Sequence, residues 1–173
     1  MEPGYITLYN SGELERRAKI LEVRLAACHI FPRNCGVNRL ENEPAFCHSG
    51  CRPIVASFCA HHGEEPPLSG RRGSWTIFFG NCNMRCVYCQ NYQISQHWQQ
   101  QKVNEVDYHT LAEHMLHLQN AGCHNINFVS PTHFVPQLVR PSLKRCRWVF
   151  ASRWSITPVA TIHFQSSKSW TAS

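Results

Sequence analysis

The sequence predicts an α/β protein built on a parallel sheet, and three segments predict it. "WTIFFG" (75–80) is a short continuous apolar run of β-formers closed by glycine, the composition of a strand buried on both faces. "TLAEHMLHLQNAG" (110–122) places Leu111, Met115 and Leu118 on one helical face and ends with Gly122 in the position just past a helix. "HNINFVSPTHF" (124–134) is a second apolar run, stopped by Pro131. Strand, loop, helix, strand is the opening of a βαβ series, and therefore of a parallel sheet or barrel.

The remaining elements fit around that series. "SGELERRAKILEVRLAAC" sets Ser11 at an N-cap position and repeats Ile20, Leu21 and Leu25 at helical spacing, which predicts a helix from about Gly12 to Ala27. A stretch rich in Cys, Gly, Pro and His follows ("CHIFPRNCGVNRLENEPAFCHSGCRPIVASFCAHHGEEPPLSG") and has no sustained period. Such a stretch needs a staple, a bound cluster or a neighbouring body to be ordered. The Gln-rich "QISQHWQQQKVNEVDYH" reads as a solvated loop, and no internal repeat is present. Three regions result: an N-terminal helix with the Cys-rich segment (1–70), the βαβ series (71–140) and a tail (141–173).

Composition narrows the function. The 173 residues suffice for one domain with a core and a small appendage. Hydrophobic residues make up 43% and charged residues 16%, and no apolar run approaches twenty residues, so no membrane span is expected. The N-terminus lacks the apolar stretch of a secretory leader, and the expected location is the cytoplasm. In that reducing compartment the ten cysteines are expected as ligands rather than disulfides. The net charge of +6 comes from scattered Lys and Arg, so nucleic acid is not the expected partner.

"CNMRCVYCQN" carries Cys82, Cys86 and Cys89 at C-x3-C-x2-C spacing directly after the first apolar strand. A structural zinc site takes four protein ligands. Three thiolates on one loop suit a 4Fe-4S cluster instead, with the fourth iron left open for an exogenous ligand. The alternative is a zinc knuckle that borrows a fourth ligand such as His97 or Cys123.

The spacing, the aromatic Tyr88 before the last cysteine and the strand context resemble the radical S-adenosylmethionine (SAM) superfamily. With "CHIFPRNCGVNR", "AFCHSG", "HHGEEPPLSG" and "NAGCHNINFVSPTHFVPQ", the chain from about Tyr5 to about Val139 resembles the uncharacterised radical SAM proteins related to pyruvate formate-lyase activating enzyme. The resemblance implies the N-terminal part of a partial (β/α)6 barrel. It implies Cys82, Cys86 and Cys89 as cluster ligands, SAM on the open iron, and Tyr88 against the adenine. "SPTH" stands where the superfamily has a Gly-Gly-Glu segment, which makes Ser130, Thr132 and His133 the candidates facing SAM. The implied activity is reductive SAM cleavage to a 5′-deoxyadenosyl radical, with a glycyl-radical-type protein substrate and an electron donor as partners. The competing readings are a non-catalytic zinc-binding module and an inactive fragment.

Two departures accompany the resemblance. The family's N-terminal pattern, C-x2-C-P-R-x-C with a further Cys, is met here by Cys28, Cys35 and Cys47 but by Phe31 at the second position. A second metal site at Cys28, Cys35 and Cys47 then needs His29, His48, Cys51 or Cys59 to complete it; the alternative is free, buried thiols. His61, His62, Glu64 and Glu65 are read either as acid/base groups or as residues holding the N-terminal segment in place. Beyond Val139 the family-like pattern stops. Codons for Trp154 to Ser173 can be chosen so that the frame starting at each third base reads "VYNTSGYDSLPIVKELDGI", a strand, turn and helix, of which "YNTSGY" resembles the family's third strand. A shifted frame near Arg140 and an unstructured tail over 141–173 are therefore expected. That tail holds five cations and no acid, so without it the net charge falls from +6 to +1.

Overall fold

A computed structural model of the protein describes residues 4–62, 73–122 and 125–140, and the backbone of 153–157. The chain opens with two short helices, α1 (Gly4–Asn10) and α2 (Glu13–Val23), packed against each other. α2 is shorter than the apolar spacing predicts. Gly12, not Ser11, caps it in the left-handed region (φ 73°), and the Ser11 hydroxyl turns back to donate to the Leu8 carbonyl. At its far end Leu25 N–H and Ala26 N–H reach only three residues back, to Glu22 and Val23, and the tightened turn ends the helix. Leu25 is buried beyond the helix, whereas Ile20 within it is exposed.

The Cys-rich segment winds through a 3-10 turn (Arg39–Glu41) and then forms a strand absent from the sequence reading, β1 (Val55–His61). β1 runs antiparallel to β2 (Ser74–Phe79), with a shift in register between Val55 and Ser57. β2 pairs in parallel with β3 (Asn125–Val129), as the βαβ series predicts. The sheet is completed by β4 (Arg153–Thr157), parallel to β3, giving a mixed four-stranded sheet in the order β1-β2-β3-β4. The molecule is thus α/β. β4 corrects the expectation of a wholly unstructured tail: β3 presents a row of backbone donors and acceptors that an extended segment satisfies. The rest of 141–173 lies outside the described residues.

The Gln-rich stretch read as a loop contains two helical turns, α3 (Tyr92–Gln96) and α4 (Trp98–Gln101), and a 3-10 turn at Lys102–Asn104. They form because Ser95 and Gln101 find interior places that a solvated loop would not give them. α5 (Tyr108–Asn120) then crosses back between β2 and β3. Asp107 caps it by accepting from Thr110 N–H at 2.7 Å, and Gly122, at φ 92°, ends it as predicted.

Leu111, Met115 and Leu118 of α5 meet Ile77 and Phe79 of β2 and Ile126 and Phe128 of β3 in one apolar core, closed by Phe134 and Leu138. Alternate residues of the same strands, Ser74 and Thr76 in β2 and Asn125 and Asn127 in β3, are buried polar groups on the opposite face. After β3 the chain makes a 3-10 turn (Thr132–Phe134) and continues as helix over residues 135–140.

Candidate metal and cofactor site

β2 delivers the chain to a turn that only glycine fits: a Cβ on Gly80 would collide with Ile54 and meet Gln101 Oε1 at 3.0 Å. Gly80 N–H donates to the Ile54 carbonyl at 2.9 Å, and Asn81 N–H to the Ile94 carbonyl at 2.8 Å. The loop that leaves this turn carries Cys82, Cys86 and Cys89. All three line one cavity of about 60 Å³, shared with Arg85, Ser95 and Ser130 and walled on the apolar side by Phe79, Ile94 and Val129. The cavity opens where β2 and β3 end, at the carboxyl edge of parallel strands, the usual place for ligands on α/β sheets. Of the residues the resemblance singles out, Cys82, Cys86, Cys89 and Ser130 lie on this one cavity.

Local bonds hold the sulfurs in place. Met84 N–H points at Cys82 Sγ (3.4 Å), and the Ser95 hydroxyl lies 3.3 Å from Cys89 Sγ. The Cys86 carbonyl accepts from Gln96 Nε2 at 2.7 Å and from Cys89 N–H at 3.3 Å. No acidic residue occurs between Pro66 and Asn104, so nothing in this stretch of chain opposes an anionic sulfur set or the binding of anions. By donor chemistry the loop suits an iron–sulfur cluster. Among the described residues no three Cys, His, Asp or Glu side chains converge as they would on a single metal ion.

Backbone strain gathers at the same place. Arg85 (φ 52°) and Ser130 (φ 57°), both on the cavity, and Asn81 (φ 58°), at its edge, occupy the left-handed region that non-glycine residues rarely adopt. His48, also left-handed (φ 49°), accepts from Asn81 Nδ2 through its carbonyl at 2.7 Å and stacks its ring on Trp98 at 4.3 Å and 6°. Its Nε2 lies 3.4 Å from Arg85 Nη1. Burial, and then the Arg85 charge, lower the His48 pKa from its ordinary value. The Cys-rich segment thus buttresses the cysteine loop, a role sequence reasoning missed because the spacing of the cysteines says nothing of Arg85 between them or of its contact with His48.

The other candidates fall differently. Tyr88 is 89% exposed on the outer side of the loop. Thr132 is half-buried in the 3-10 turn and is not part of the cavity wall. His133 is wholly buried with its ring tilted against Phe134, centroids 4.1 Å apart, and also lies off the cavity. Burial, reinforced by the Arg39 charge, lowers its pKa to about 3, so it stays neutral.

In the N-terminal set, Cys28 and Cys47 are buried, Cys35 and Cys51 half-buried, and Cys59 exposed on β1. Phe31 is buried too, filling space as an apolar side chain does. Between Cys28 and Cys47 lies a group the sequence did not signal. Arg39 is fully buried and donates to the carbonyls of Ser49 (2.8 Å), Gly50 (3.0 Å) and His133 (2.7 Å), with Nη1 3.8 Å from Cys28 Sγ. Burial raises the Cys47 pKa, and the Arg39 charge opposes that rise. His61 ends β1 and His62 follows it, while Glu64, Glu65, Cys123 and Cys146 lie outside the described residues.

No family model matches the chain, and no solved structure matches it. An uncharacterised protein of Methanocaldococcus jannaschii is 40% identical over 83 residues, which cover 48% of this chain and 23% of that protein. The chain thus spans about a quarter of the length of the curated relative it matches.

Proposed function

We propose that the chain carries the cofactor-holding part of a radical SAM iron–sulfur enzyme of the activating-enzyme-related type, the N-terminal part of a partial (β/α)6 barrel. The observation that carries this reading is the convergence of Cys82, Cys86 and Cys89 on one cavity at the carboxyl edge of β2 and β3. Their thiolates would hold a 4Fe-4S cluster with SAM bound beside it, and the chemistry that group would supply is one-electron reductive cleavage of SAM, the source of a radical able to take a hydrogen atom from substrate.

The chain's own residues bind and exclude. Met84 N–H and the Ser95 hydroxyl steady the sulfurs, and Phe79, Ile94 and Val129 keep water from the apolar wall. Ser130 offers its hydroxyl to the SAM amino group, and Tyr88 offers its exposed ring to the adenine. Thr132 and His133 stand in the turn that follows Ser130, off the cavity wall. An electron donor and a glycyl-radical-type protein substrate are the partners this chemistry calls for.

Anaerobic reconstitution of the full chain with iron and sulfide tests the reading. Iron and sulfide in the proportion of one 4Fe-4S cluster, with an EPR signal that changes on adding SAM and is lost in Cys86→Ser, is the expected result. One zinc per chain with no such signal makes it a zinc-binding module, and a bound cluster that ignores SAM makes it an inactive fragment.

A further inference from the structure

We propose that Arg85 is the carboxylate-recognition residue of the cysteine cavity, taking the carboxylate of SAM; this rests on the functional reading above. Arg85 is the cation on the cavity wall, beside the three thiols, Ser95 and Ser130. Four other described arginines are already committed. Arg16 and Arg17 pair with Glu13, Arg140 pairs with Glu22, and buried Arg39 spends its donors on three carbonyls. Among the described residues no carboxylate meets Arg85, and the acid-free stretch from Pro66 to Asn104 supplies none.

The guanidinium is held from behind. It has donors only, so the 3.4 Å contact makes His48 Nε2 the acceptor, with the ring proton on Nδ1. His48 is itself fixed by its stack on Trp98 and by Asn81, and the Arg85 guanidinium carbon lies 5.3 Å from the Phe46 ring centroid. One Nη1–H engaged with His48 leaves the rest of the planar fork for a ligand. The left-handed backbone at Arg85 (φ 52°) is a strained conformation kept at the cavity wall. A planar cation fixed on one side and free on the other matches a carboxylate better than it matches water.

The test compares two ligands on each protein, so that any loss of folded or cluster-loaded protein cancels in the ratio. Equilibrium dialysis of the reconstituted full chain measures binding of SAM and of decarboxylated SAM, with iron content as the check on loading. Wild type is expected to prefer SAM, and Arg85→Gln to lose about 10- to 100-fold of that preference, the weight of a charge-assisted pair. Arg85→Lys, which keeps the charge and loses the fork, is expected to retain part of it. An unchanged preference in Arg85→Gln, with SAM still bound, overturns the assignment and leaves the functional reading standing. A wild-type chain that loads its cluster and binds neither compound overturns both.

Discussion

His133 shows how one residue can couple the interior to pH. Its imidazole is wholly enclosed, and its pKa near 3 lies far below the ordinary value of 6.5. Above pH 6.5 the ring is neutral in both folded and unfolded chains and costs nothing. Between about 6.5 and 3 only the unfolded chain takes the proton, so stability is lost as the pH falls through that window. At pH 5 the loss is on the order of 2 kcal/mol. Urea unfolding at pH 7 and pH 5 is expected to show that drop in wild type and a smaller one in His133→Asn; equal drops would mean the ring is solvated. At this scale the sequence was informative only where spacing carried meaning. The cysteine triplet announced itself, whereas Arg39 and Arg85 were silent and His48 was read only as a spare metal ligand, because a buried cation or an acceptor behind a cation leaves no periodic trace.

Among the elements, α5 was the most legible, since three apolar residues at helical spacing and a terminal glycine are all local signals. Met115 lies fully buried at the centre of that face, against the sheet. Met115→Ala is expected to cost about 2–5 kcal/mol, read as a lowered thermal midpoint; a change below about 0.5 kcal/mol would show that α5 does not seal the core. β2 was legible as a strand but not as a two-faced one. Within its apolar run, Ser74 and Thr76 alternate with the core residues and give the sheet a polar side. β1 and the turns α3 and α4 were hidden for a different reason. Their order comes from partners far along the chain: β1 from its ladder with β2, and α3 from the cysteine loop it packs under. Local pattern holds no record of such partners.

On the scale of the whole molecule, the parallel series β2-β3-β4 has reached three strands, with β4 drawn from residues whose sequence has no strand period. Codons for Trp154 onward can be chosen so that the alternative frame reads "VYNT", a stronger strand former, where β4 lies. Sequencing the gene across codons 141–173 is expected to give the strand, turn and helix in that frame. A nucleotide sequence that encodes no such pattern ends the idea and leaves β4 as the native third strand of the parallel series. Either way the α/β class was read from two strands and a helix, and the antiparallel β1 that makes the sheet mixed lay beyond what those could promise.

Arg39 adds a constraint in time. Its donor to His133 spans 94 residues of chain, and a ribosome adding about 5–20 residues per second needs roughly 5–20 s to cover that interval. During those seconds the guanidinium has the Ser49 and Gly50 carbonyls within its own segment and lacks the third, so the last of its buried bonds waits until β3 and the turn after it have been made.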